Sequence, residues 1–217
     1  MSELNLTHSN GNKVKLTTPD TLAANKTFKL PGADGTAGQS LVTDGSGALS
    51  FATPSPYQFS SWYVTADYTP TASNVTLKNW AESNADGYER LGTAPTYNNG
   101  VFTMPSTGYW RVQASIIYFH TSATGDSFAF TLRHSTDSGS NYNHFATIGG
   151  RLDSSLPANV KNCWTVAGTF KVANASNSRL IVYGVDIRTD ARIYGNTQAG
   201  ADSGYCTTMH IEKMANL

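Results

Sequence analysis

From residue 57 onward, apolar and polar positions alternate in short runs separated by glycine, asparagine, aspartate and serine. A period of two marks strands with one buried face. Strand runs are predicted at 59–65, 101–105, 109–119, 127–134, 143–150, 163–172, 179–187 and 205–214, while 74–80 fits a strand or a short helix. No segment holds a helical period over three turns. The runs nominate core faces: Trp110, Val112, Ala114, Ile116 and Tyr118; Phe128, Phe130 and Leu132; Trp164, Val166, Phe170 and Val172; Ile181, Tyr183, Val185 and Ile187; Tyr205, Met209 and Ile211. Short strands broken by turn residues predict an antiparallel β-sandwich or jelly roll. One run departs from the pattern. The second face of 109–119 opens with Arg111, Gln113 and Ser115 but ends with Ile117 and Phe119. A face meant for water should stay polar, so a covering loop or a neighbouring subunit is expected there. The subunit reading makes Ile117 and Phe119 trimer-interface candidates.

Residues 1–53 differ from the rest. They hold no Trp, Tyr or Cys, and pair their apolar residues in short alternating pieces: Leu4 and Leu6, Val14 and Leu16, Phe28 and Leu30. Turn signals intervene at Ser9–Asn12, Pro31–Gly35 and Asp44–Gly47. Asp34–Gly38 and Asp44–Ala48 read as two copies of one turn. So short a segment cannot bury a core alone. It calls for copies wound about an axis or for another protein's sheet, and those six side chains are the anchoring candidates. Thr53-Pro54-Ser55-Pro56 reads as a stiff linker. The expected organisation is therefore an anchor or stalk, 1–53, and a sandwich head, 54–217.

Composition narrows the function classes. The 217 residues carry 15 Lys+Arg against 15 Asp+Glu, and only 14% are charged. That balance gives no basic surplus for nucleic acid or an anionic membrane surface. The polarity comes from Ser, Thr, Asn and Gly, which suit turns and exposed strands. The N-terminus lacks a charged-then-apolar leader and no run reaches membrane-span length, so synthesis in a cytosol without a signal peptide or membrane insertion is expected.

Candidate chemistry is sparse. Cys163 and Cys206 sit in no metal-ligand spacing; they read as small buried hydrophobes, with a disulfide left open. His120, His134, His144 and His210 lie on or near strands without a metal or nucleophile motif. Asp186, Asp190 and Asp202, with Glu82 and Glu89, could make a glycosidase pair, but acids in turns more often bond their own backbone. Asp126 beside Ser127 reads as a loop end. Asp137 could join a calcium site or cap its turn. Tyr142, Tyr194 and Tyr205 are glycan-contact candidates on loops. No cofactor is expected, and the chain reads as no enzyme.

Two stretches carry a family resemblance. Tyr97-Asn98-Asn99-Gly100-Val101-Phe102-Thr103-Met104-Pro105 followed by Gly108-Tyr109-Trp110 resembles the opening strands of the complement globular-head and tumour-necrosis-factor jelly rolls, over about 97–214. That resemblance implies a tight homotrimer about a threefold axis. Leu30-Pro31-Gly32-Ala33-Asp34-Gly35-Thr36, continuing through Gln39, Thr43-Asp44-Gly45 and Leu49-Ser50-Phe51, is similar to a cassette of phage fibre and virion surface proteins that commonly precedes a C-terminal head. Together they imply a structural protein on the virion surface: a homotrimeric capsid decoration protein or head spike whose stalk contacts the major capsid protein or another virion protein. The alternative is a tail-fibre protein recognising a host-surface glycan.

Overall fold

The computed structural model describes residues 3–17, 21, 23–52, 57–83, 90–120, 127–151, 161–196 and 206–217. The chain forms two compact units, Met1–Pro54 and Ser55–Leu217. The first holds strands β1 (Glu3–Thr7), β2 (Lys13–Thr17), β3 (Ser40–Thr43) and β4 (Leu49–Ala52). The second holds β5 (Gln58–Val64), β6 (Val75–Thr76), β7 (Trp80–Glu82), β8 (Thr96–Asn98), β9 (Val101–Thr103), β10 (Gly108–His120), β11 (Ser127–Ser135), β12 (Asn143–Arg151), β13 (Asn162–Val172), β14 (Arg179–Val185), β15 (Ala191–Ile193) and β16 (Thr208–Ala215). Nothing α-helical occurs among the described residues; one 3-10 turn spans Ala175–Asn177.

In the second unit two six-stranded sheets face each other. The first runs β13-β10-β16-β5-β7, with β15 pairing the far end of β10; the second runs β12-β11-β14-β9-β8, with β6 pairing β14. Every strand pairing is antiparallel. The expected sandwich is thus present, and alternation places its core. Trp110, Val112, Ala114, Ile116 and Tyr118 of β10 point inward and are buried, as are Phe128, Phe130 and Leu132 of β11. Their rings interlock: Tyr118 lies 4.8 Å from Phe128 and 5.4 Å from Phe130. At the other end Phe102 sits 4.9 Å from both Trp62 and Tyr97. Buried indoles keep their hydrogen bonds: Trp62 Nε1 donates to Ser60 Oγ at 3.0 Å and Trp110 Nε1 to the Ser106 carbonyl at 3.1 Å.

Residues 74–80 form β6 and the start of β7, hinged at Asn79 (φ 62°), which lets Leu77 and Trp80 both reach the core. Asn99-Gly100 supplies the left-handed pair, φ 47° and 93°, that a tight β8–β9 hairpin requires.

Three core and cysteine expectations need correcting. On β14 the buried side chains are Leu180 and Val182, while Tyr183 and Val185 occupy the opposite face, where Arg133 stacks over Tyr183 at 3.8 Å. Ile181 shares that face but is still buried. Ile187 does join the core, because Asp186 adopts φ 52° and inverts the alternation after it. Trp164 is only half-buried, meeting Phe128 edge-on at 5.0 Å, and Cys163 is exposed and free rather than a buried hydrophobe. Cys206 is half-buried and free, and burial raises its thiol pKa. Tyr205 lies outside the described residues.

In the first unit β1 pairs β2 and β3 pairs β4. The side chains of Leu4, Leu6, Val14 and Leu16 lie outside the described set, although their backbones form the β1–β2 hairpin. Phe28 and Leu30 build no strand: Lys29 makes one bridge to Ala48, and the two flanking side chains are 66% and 78% exposed. The expected repeated turn resolves into two different ones. Asp44 closes the β3–β4 hairpin, its Oδ1 accepting from the Ser46 and Ala48 amides at 2.8 and 3.0 Å. Around residue 36 the Gln39 side chain accepts from the Thr36 amide at 2.8 Å instead.

Candidate functional site

At one end of the second sheet, β11 delivers His134 and the 3-10 turn delivers Ser178, with Nε2 and Oγ 2.6 Å apart. A nucleophile–base pair has this spacing. Ser178, however, is 1% exposed, so no substrate can reach it. The imidazole packs 4.5 Å from Phe170, and burial lowers its pKa. The pair serves as a satisfied core hydrogen bond. Beside it Asp137 caps its own turn: Oδ1 accepts from Ser135 Oγ at 2.6 Å and the Asn141 amide at 2.9 Å, and Oδ2 from Asn141 Nδ2 at 2.7 Å. These donors, Ser135 first, hold its carboxyl well below the usual range. A calcium ion would have to displace them.

Of the candidate acids, Asp186 and Asp190 share one groove. Asp190 is bound to Arg188 through two bonds, 2.6 and 2.7 Å. Asp186 lies near it in an open groove of about 740 Å³ lined by Ser73, Ser127 and residues 186–190. Glu82 pairs with Arg90 at 3.3 Å, while Glu89, Asp126 and Asp202 fall outside the described residues. His144 is exposed on β12, and the His120 side chain is not described. No group of three His, Cys, Asp or Glu side chains gathers among the described residues, and no helix among them is long and apolar enough to cross a membrane.

The proposed glycan contacts are engaged with their neighbours. Tyr142 is half-buried with its ring tip beside Gly139. Lys161 Nζ lies 3.7 Å over the Tyr194 ring, whose other neighbour is Phe119 at 6.2 Å. That packing also corrects the interface assignment for Ile117 and Phe119. They are 8% and 7% exposed within a single chain. β15 pairs the end of β10, the Tyr194 amide donates to the Ile117 carbonyl at 2.9 Å, and the Ile117 amide donates to Thr207 Oγ1 at 3.1 Å. Both side chains are thus already buried within one chain, with the Tyr194 ring against Phe119.

A different surface stands out. The outward face of the first sheet is assembled in rows by register: Tyr63, Thr208, Ser115 and Thr165; Ser61, His210, Gln113 and Ala167; Phe59, Glu212, Arg111 and Thr169. The large apolar side chains exposed in the described part of the sandwich are Tyr57, Leu91, Tyr109, Met214 and Leu217, all near one end of this sheet. Concentration of this kind marks contact surfaces. The charges there are satisfied internally: Glu212 accepts from Tyr57 Oη at 2.5 Å and from Arg111 Nη1 at 3.3 Å. Sequence alternation could show Tyr109 and Arg111 sharing a face. It could not show that Tyr57 and Met214 border them, since that depends on the β16–β5 register and a bulge at Tyr109. Equally hidden was the buried chain from Lys213 Nζ to Ser106 Oγ to Gln58 Oε1, each step 3.2 Å.

The sandwich is similar to murine APRIL at pH 5.0, over 73% of this chain and 99% of that one, with TM-score 0.50 and 10% identity. Murine APRIL at pH 8.5 aligns over the same shares at TM-score 0.50 and 8% identity. The head has a tumour-necrosis-factor-like jelly-roll fold. An Eiger TNF from S. frugiperda aligns over 75% of this chain and 95% of its own at 14% identity and TM-score 0.48. No family model and no curated protein matches the chain.

Proposed function

We propose that this chain is a non-enzymatic structural protein of a phage virion, a homotrimeric capsid decoration protein or head spike held to the particle by its N-terminal unit. The observation that carries this reading lies in that unit. None of its described residues is buried, and Phe28, Leu30, Leu41, Val42 and Phe51 stand exposed. Two-stranded pieces without a core are marginal by themselves, so the unit calls for partners. The apolar end of the first sheet supports self-association of the head, and the likeness of Leu30–Phe51 to virion cassettes supports the particle. Cryo-EM of intact particles tests it. Threefold density on the shell with residues 1–53 against capsid subunits is expected, and capsid attachment surviving deletion of 1–53 would refute the anchor.

The groove at Asp186 favours a second reading, a tail-fibre protein recognising a host-surface glycan. Asp186 and Asp190 line it together with the hydroxyl-bearing Ser73, Ser127 and Thr189. Binding of the full chain to host cells, abolished by Asp186→Ala, is expected under this reading; absence of binding to every susceptible host would end it.

A further inference from the structure

His210 stands in the middle row of the outward face of the first sheet, flanked by Ser61 on β5 and Gln113 on β10. Its ring stacks on Phe59, centroids 5.6 Å apart and planes 18° apart. Its Nδ1 is buried and has no hydrogen-bond partner. A neutral imidazole tolerates that setting; an imidazolium needs both N–H groups solvated or bonded.

We propose that His210 makes self-association through this face acid-sensitive, protonation of its ring loosening the contact between copies. The inference rests on the reading above that copies of the chain associate. The groups facing His210 are few. Glu212, on its own strand, is the one acid among them and is already bonded to Tyr57 and Arg111. Arg111 on β10 contributes a like charge, and Tyr63 on β5 and Tyr57 just before it share the face. Glu82 on β7 registers with Trp62 and so belongs to the opposite face. Burial already disfavours the charged ring, with Glu212 opposing weakly. A second copy laid over the face removes more water from the ring and brings further Arg111 and His210 charges near. The separated chain then binds the proton more tightly than the assembled one, so linkage drives dissociation as pH falls.

Sedimentation velocity of the full chain from about pH 7.5 to about pH 5, at constant ionic strength, tests this. The association constant should fall up to about tenfold per histidine for each pH unit below the free chain's pKa. His210→Phe, which keeps the stack and removes the charge, should stay assembled throughout. An unchanged pH profile in His210→Phe, or wild-type assembly insensitive to acid, overturns the proposal while leaving self-association standing. A chain monomeric at every pH overturns self-association itself. Should the variant misfold, NMR titration of His210 in wild type at low and high concentration decides: a lower pKa at high concentration supports the proposal, and equal values overturn it.

Discussion

Phe102 shows how much a single side chain can organise. It sits in a three-residue strand, yet its ring contacts Trp62, Trp80 and Tyr97 and is fully buried. Phe102→Ala should cost about 3–5 kcal/mol, read as a shifted midpoint in urea unfolding of the head. Histidine titration belongs to the same scale. Burial lowers the pKa values of His134 and His210 from the ordinary 6.5. The unfolded chain therefore takes up these protons first. Their effect on stability is nil above about 6.5, and stability falls as pH drops from there to the lowered native values. Thermal unfolding followed across that window should show it, and His134→Gln should flatten part of the slope. Asp137 gives a slope of the same sign at lower pH: its lowered native pKa supports the fold above the ordinary 3.8, and that support is lost in stronger acid.

Among elements, β14 is the instructive one. Its alternation suggested a core face of Ile181, Tyr183, Val185 and Ile187, but the strand ends before Ile187 and a left-handed Asp186 resets the parity. A one-residue change in phase exchanges the two faces of a strand, and a run of apolar residues on both faces conceals it. Asp186→Gly, which relieves the positive φ, should leave stability unchanged or slightly higher. Asp186→Val should lose about 1–3 kcal/mol, measured as the difference between the two unfolding midpoints. The apolar end of β10 teaches a related lesson. Ile117 and Phe119 are correctly read as covered, but they are buried within one chain, where β15 pairs the end of β10 across more than seventy residues of sequence.

For the whole molecule, the expected consequence of the apolar end of the first sheet is that charge placed there disperses the assembly. Leu91→Asp combined with Met214→Asp should give a folded monomer. Unchanged circular dichroism together with a reduced sedimentation coefficient would establish it. Both side chains are solvent-exposed in the single chain, so little folding free energy depends on them.

Alternation, turn residues and the absence of helical period were enough to specify an all-β sandwich, the positions of its longer strands, though not of the short β8 and β15, and most of its core on β10, β11 and β16. They are local properties, and a strand's period needs no partner to be visible. The tertiary structure alone decided which strands are neighbours, what covers Ile117 and Phe119, that His134 meets Ser178 rather than a substrate, and that Tyr57, Tyr109 and Met214 border one surface. Each of these depends on register between strands far apart in sequence, where a shift of one residue changes the face and the neighbours while leaving the local pattern intact.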